Sequence, residues 1–133
     1  MRFMLLQNYG QVESGCPPIN EWPPEDIQAH IAFQQALNAE LTELGELVDA
    51  QGLAGPDQAK YVVSDGVNPP VITDGPYSES KELLAGFRMV DVDSLERAIE
   101  IAAKASAAPA WGGAPIKDPI EVRQVLGAPD PEM

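Results

Sequence analysis

Two stretches of helical periodicity, each set between short runs of strand-forming residues, leave this chain few ways to fold. The first opens at Pro24, a favourable first helical residue because an N–H there would have no partner anyway. Glu25 and Asp26 follow and complement the positive end of the helix dipole. Phe33, Leu37, Leu41 and Leu44 then form one apolar stripe, with His30 inside it, and Gly45 is placed to end the helix in a left-handed conformation. The second pattern runs over residues 94–107. Leu95, Ala98, Ile99 and Ala102 share a side, and Asp93 with Glu96 forms the pair expected of a capping box.

Around these helices lie β-rich runs: "RFMLLQ" at 2–7, "ELVDAQGLAG" at 46–55, "GFRMVDV" at 86–92 and "IEVRQVL" at 120–126. Tyr61–Val63 and Val71–Thr73 read as a hairpin around Asp65-Gly66 and Asn68-Pro69-Pro70. The order is β-α-β, hairpin, β-α-β. It predicts an α+β, ferredoxin-like split βαβ plan: an antiparallel sheet with two helices on one face. The other face must then hold apolar residues too. Phe3, Leu5, Phe87, Met89 and Val122, with their neighbours Met4, Leu6, Arg88 and Val90, are too apolar for a face left in water. A homodimer in which the two open sheet faces meet is the expected solution.

The chain's 133 residues suit one domain across 1–133, with residues 127–133 a fraying polar tail. A Pro- and Gly-rich loop, 8–23, holds Trp22, either as cover for a pocket or as simple packing against the body. The single Cys16 has no disulfide partner and no metal-ligand neighbours, so a bland loop cysteine is the expected reading. A net charge of −13, without a basic cluster, argues against nucleic-acid and anionic-membrane partners. The apolar run at the N-terminus is too short for a signal core or a membrane span, so a cytoplasmic location is expected.

"DGPYSESKELLAGF", residues 74–87, resembles the signature of the YCII-related family in its DGPF-type branch. Asp74, Gly75, Pro76, Tyr77, Glu79, Lys81, Glu82, Gly86 and Phe87 occupy the matching places. The likeness extends over "FMLL", "MVDVDSLERAIEIAAK" and "IEVRQV". Tyr77 stands where the family usually has Phe, Ala85 where a second glycine is common, and the 11–23 loop is individual. The resemblance implies a ferredoxin-like fold assembled as a dimeric α+β barrel. Its wider superfamily includes a chloromuconolactone dehalogenase and other small-molecule lyases and isomerases, and DGPF-type proteins are often linked to alternative sigma factors.

In YCII-related proteins a helix histidine paired with an aspartate has been proposed as an active-site dyad. By that resemblance His30 and Asp74 are the expected catalytic pair; Tyr77, Lys81 and Trp22 are substrate-binding candidates on their own chemistry and placement. A neutral imidazole can take or give a proton near neutral pH. Each residue also has an ordinary explanation: His30 as a core histidine, Asp74 as a turn former, Lys81 as part of a solvated charge run, Tyr77 as a loop anchor. Trp111-Gly112-Gly113 is a further candidate border of the same cavity. With no phosphate loop, nucleophile elbow or metal-ligand spacing, the expectation is a small-molecule pocket with no cofactor and no metal, supporting acid–base chemistry of the isomerase or lyase type. The competing expectation is a non-catalytic dimer that binds a metabolite or a protein and has a regulatory role.

Overall fold

A computed structural model describes residues 1–8, 19–75 and 84–127. The elements, in order, are β1 (Arg2–Asn8), α1 (Pro24–Glu43), β2 (Leu47–Gly52), β3 (Lys60–Val63), β4 (Val71–Asp74), β5 (Leu84–Asp91), α2 (Leu95–Ser106) and β6 (Ile120–Gln124). Four strands form one sheet in the order β2-β5-β1-β6, all neighbours antiparallel, and β3 with β4 forms a separate two-stranded ribbon. This is the ferredoxin-like α+β plan, with the ribbon inserted between its second and third sheet strands.

The helices form where their ends are satisfied. After Glu43 the chain turns at Gly45, whose φ is 72°, with Gly45 N–H donating to Thr42 O at 3.0 Å and Glu46 N–H to Leu41 O at 2.8 Å. These paired bonds are a Schellman ending, which a residue with a Cβ would strain. The turn carries Leu44 out of the stripe and into solvent, so the buried side of α1 is His30, Leu37 and Leu41, flanked by Phe33. The cap of α2 is Ser94, whose Oγ accepts from Arg97 N–H at 3.2 Å, one residue later than the Asp93 expected from sequence. The buried side of α2 is Ala98, Ile101, Ala102 and Ala105, while Leu95 and Ile99 are exposed. Four small or compact residues at i, i+3, i+4 and i+7 let this helix lie close to the sheet.

Strand register decides which residues share a face, because residues directly opposite point the same way. Phe3 lies opposite Val90 and Leu5 opposite Arg88, and all four face the helices. Met4 lies opposite Met89 and Leu6 opposite Phe87 on the other face, where all four are half-buried. The grouping expected from sequence placed Phe87 and Met89 with Phe3 and Leu5. The pairing reverses it and puts a charged residue, Arg88, under the helices. The core is Phe3, Leu5, Val90 and Val92 of the sheet side against Leu37, Leu41, Ala98, Ile101, Ala102 and Ala105. No helix among the described residues is long and apolar enough to cross a membrane.

Candidate functional site

The polar residues under α1 form a connected chain. His30 is 9% exposed and its Nδ1–H donates to Pro109 O at 2.8 Å. A carbonyl can only accept, so in the neutral ring Nδ1 carries the proton and Nε2 is left as the acceptor. Gln34, one turn on, donates from Nε2 to His30 Nε2 at 3.4 Å. That contact orients the Gln34 amide, whose Oε1 accepts from Arg88 Nη2. Arg88 Nε donates in turn to Asn38 Oδ1 at 2.8 Å. Pro109, His30, Gln34, Arg88 and Asn38 thus run from the loop after α2, along α1, to β5 beneath it and back to α1.

Each member is held by its element. His30, Gln34 and Asn38 are spaced at i, i+4 and i+8, so they form one ridge along α1. Pro109 bridges to Pro115, and the loop between them is closed by Ala110 N–H on Ala114 O at 2.7 Å and Gly113 N–H on Ala110 O at 2.9 Å. Gly112 N–H also donates to Asp26 Oδ2 at 3.0 Å, tying this loop to the start of α1. Trp22 is buried and meets the His30 ring edge-on, with centroids 5.5 Å apart and planes at 81°. Arg88 is 7% exposed, and burial pushes its guanidinium below its ordinary value.

Of the residues singled out from sequence, the structure brings Trp22 to His30 and sets the Trp111–Gly113 turn against the start of α1. Asp74 ends β4, with its side chain 79% exposed and its carboxylate on Lys60 Nζ across the ribbon. His30 has Pro109 and Gln34 as partners, so no hydrogen bond joins His30 to Asp74 within the chain. Gly75 continues the ribbon, donating to Ala59 O at 2.8 Å. A Cβ there would stand 2.7 Å from the Tyr61 ring, so the glycine is required by close approach. Tyr77, Lys81 and Cys16 lie outside the described residues.

Sequence reasoning missed Arg88, Gln34, Asn38 and the Pro109 carbonyl. A signal for the first three was present. Arg88 alternates in phase with Val90, and Gln34 and Asn38 continue the four-residue spacing from His30. A carbonyl of an irregular loop carries no such sign.

Among proteins of known sequence, an uncharacterised protein of Rhizobium meliloti (strain 1021) is 28% identical over 81 residues, which are 61% of this chain and 64% of that protein. The chain therefore spans less than two thirds of that relative's length. The YCII-related domain matches residues 1–118, from the first sheet strand through both helices and the Pro109 loop. With that match over most of its length, the chain belongs to the YCII-related family.

Proposed function

We propose that this protein is a homodimer that binds a small molecule beside His30 and moves a proton at His30 Nε2. The observation that carries this reading is the tautomer of a nearly buried histidine. With Nδ1–H held by Pro109 O, the basic lone pair is directed at a polar chain rather than at apolar core. The contact from Gln34 at 3.4 Å is long for a hydrogen bond, so a substrate C–H or O–H can displace it at little cost. The chemistry is proton abstraction beside a carbonyl, with the proton returned elsewhere on the substrate in an isomerisation, or the electron pair expelling a leaving group in an elimination. Pro109 O takes the orienting part for which Asp74 was the sequence candidate. Asp74, Tyr77 and Lys81 remain candidates of the signature segment, Tyr77 and Lys81 for holding a carboxylate or carbonyl, and Trp22 is the aromatic wall beside His30.

The test is deuterium incorporation from heavy water into a panel of small ketones and keto acids, followed by proton spectra. His30→Gln should slow exchange by ~100-fold or more, the usual contribution of a positioned base. Exchange unaffected by the substitution would remove His30 from the reaction. A second reading, binding without turnover, is favoured by the engagement of Asp74 with Lys60, which leaves His30 without a carboxylate partner among the described residues. It predicts compounds that stabilise the fold and exchange no proton.

A further inference from the structure

Arg88 is a buried cation with no carboxylate beside it among the described residues, in a chain whose net charge is −13. Its two described bonds go to neutral amide oxygens of Asn38 and Gln34, which satisfy hydrogen-bond donors but do not neutralise charge. A guanidinium stays protonated when buried and presents its donors as a planar fork. The Nε/Nη2 edge of that fork is taken by the two amides. The Nη1/Nη2 end has no protein acceptor among the described residues. Since no fully enclosed side-chain nitrogen or oxygen among them lacks a partner, Nη1 is not completely enclosed by the described residues.

Among the described residues, the sheet beside this end carries no side chain larger than a methyl. Ala50 lies opposite Arg88, and Gly52 lies opposite Gly86, both pairs on the helix-facing side. A Cβ at Gly86 would meet Gln51 O at 2.8 Å, so that position admits no side chain. A Cβ at Gly52 would have nothing within 4 Å among the described residues, and Gly52 is exposed on the edge strand β2. Among the described residues, one methyl and two glycines thus make a shelf open at the sheet edge, with a guanidinium at its inner end and half-buried Gln34 and Asn38 above.

We propose that Arg88 anchors a carboxylate-binding site, holding the anion through its Nη1/Nη2 end over the Ala50–Gly52–Gly86 shelf. This rests on the reading that a small molecule binds beside His30, and it gives that molecule a class: a small monocarboxylate whose body extends along the shelf. A planar, two-oxygen anion matches the fork in geometry. A single cation in an acidic protein matches one negative charge, and a phosphate dianion would bring a second charge with no counter-ion. The amides fix the guanidinium plane in advance, so little side-chain freedom is lost on binding.

The experiment titrates the full chain with acetate and benzoate, and with benzamide and inorganic phosphate as controls, at ionic strength held constant with chloride. The readouts are the thermal midpoint and the broadening of ligand proton signals. Acetate and benzoate should raise the midpoint saturably, benzoate at lower concentration, while benzamide and phosphate do not. Gly52→Leu fills the shelf at a position where the described residues leave room, and it should weaken benzoate binding by ~10-fold or more, as loss of a fitted subsite does. Arg88→Met should abolish it; if that variant does not fold, Gly52→Leu decides. No saturable response to either carboxylate, a stronger response to phosphate, or an unaltered response in the variants overturns the proposal. Carboxylate binding without proton exchange on any carbonyl compound would remove only the His30 chemistry. Exchange on neutral ketones without carboxylate binding would remove only the anion site.

Discussion

Two arginines show how a residue's surroundings decide its part. Arg97, on α2, meets Glu46 through Nε at 2.9 Å and Nη2 at 2.8 Å, with Glu100 on Nη1 at 3.2 Å. Its charge is matched by carboxylates, which raise its value, whereas burial alone lowers that of Arg88. Arg97 therefore braces the start of α2 against the turn after α1. The groove beside it, lined by Leu44, Gly45, Glu46, Asp91, Val92, Asp93 and Arg97, holds a cation that already has its anion. Glu46 yields a prediction. Its carboxyl is held below its ordinary 4.5 chiefly by the hydrogen bond from Arg97, with the Arg97 and Lys104 charges adding and burial opposing. The folded chain thus binds that proton less readily than the unfolded one. Its stabilisation is complete above the unfolded value and is lost as pH falls through the lower folded value. The pair is less than a quarter exposed, so about 1 kcal/mol is a reasonable magnitude. Glu46→Gln should lower urea stability by that amount near neutrality, and the difference should vanish in acid below the folded value. A constant difference across the titration would contradict this account.

At the scale of elements, the same distinction between local pattern and tertiary partner governs α2. Leu95 and Ile99 are its exposed large hydrophobic residues, and Ile101, fully buried, is packed with Ala98, Ala102 and Ala105 against β1 and β6. Ile101→Ala should cost ~2–4 kcal/mol because it leaves a cavity in a close-packed core. Ile99→Ala should stay within ~0.5 kcal/mol, as surface substitutions do. Equal losses in chemical denaturation would mean that the helix is rotated from the face described. The order of elements and their class were legible because Pro, Gly and alternating apolar residues act locally: Pro24 opens α1, Gly45 ends it, and the hairpin forms where two β-rich runs flank Asp65-Gly66. The α2 face was not legible, since Leu95-Ala98-Ile99-Ala102 and Ala98-Ile101-Ala102-Ala105 are both credible stripes and only contact with the sheet selects one. Strand alternation likewise reveals that Arg88 and Met89 point opposite ways. Which of them meets the helices follows from the pairing Leu5–Arg88. Of the candidate residues, the inward placement of His30 on α1 was legible in its helical spacing, whereas its contact with Trp22 was not. Asp74, a hairpin residue, has its counter-ion in the hairpin, at Lys60, a pairing across strands that sequence spacing alone does not reveal.

At the scale of the whole molecule, the sheet has one face filled by helices and one bearing Met4, Leu6, Phe87 and Met89 on its two central strands. The register places Met4 against Met89 and Leu6 against Phe87, so the four make a contiguous apolar block. Asp49 and Gln51 flank it on β2, and Glu121 and Arg123 flank it on β6. An apolar centre with a polar rim is the make-up of a protein interface, and a second copy of this sheet presents a surface of matching kind. Self-association would also remove the apolar face from water without adding an element to the fold. It is opposed by charge, because each copy carries −13. Added salt screens that repulsion over a distance of about 8–10 Å near physiological strength and should therefore tighten the dimer. The prediction is a dimer at micromolar concentration by sedimentation, with an affinity that rises with salt. Met89→Glu, which puts a carboxylate at the centre of the block in both copies, should weaken association by ~100-fold or more through burial of unpaired like charges. Its far-UV spectrum should be unchanged, since Met89 points away from the core. A wild-type monomer at micromolar concentration across the salt range would mean that the open face is covered within the chain, and the two-sheet assembly would then be abandoned.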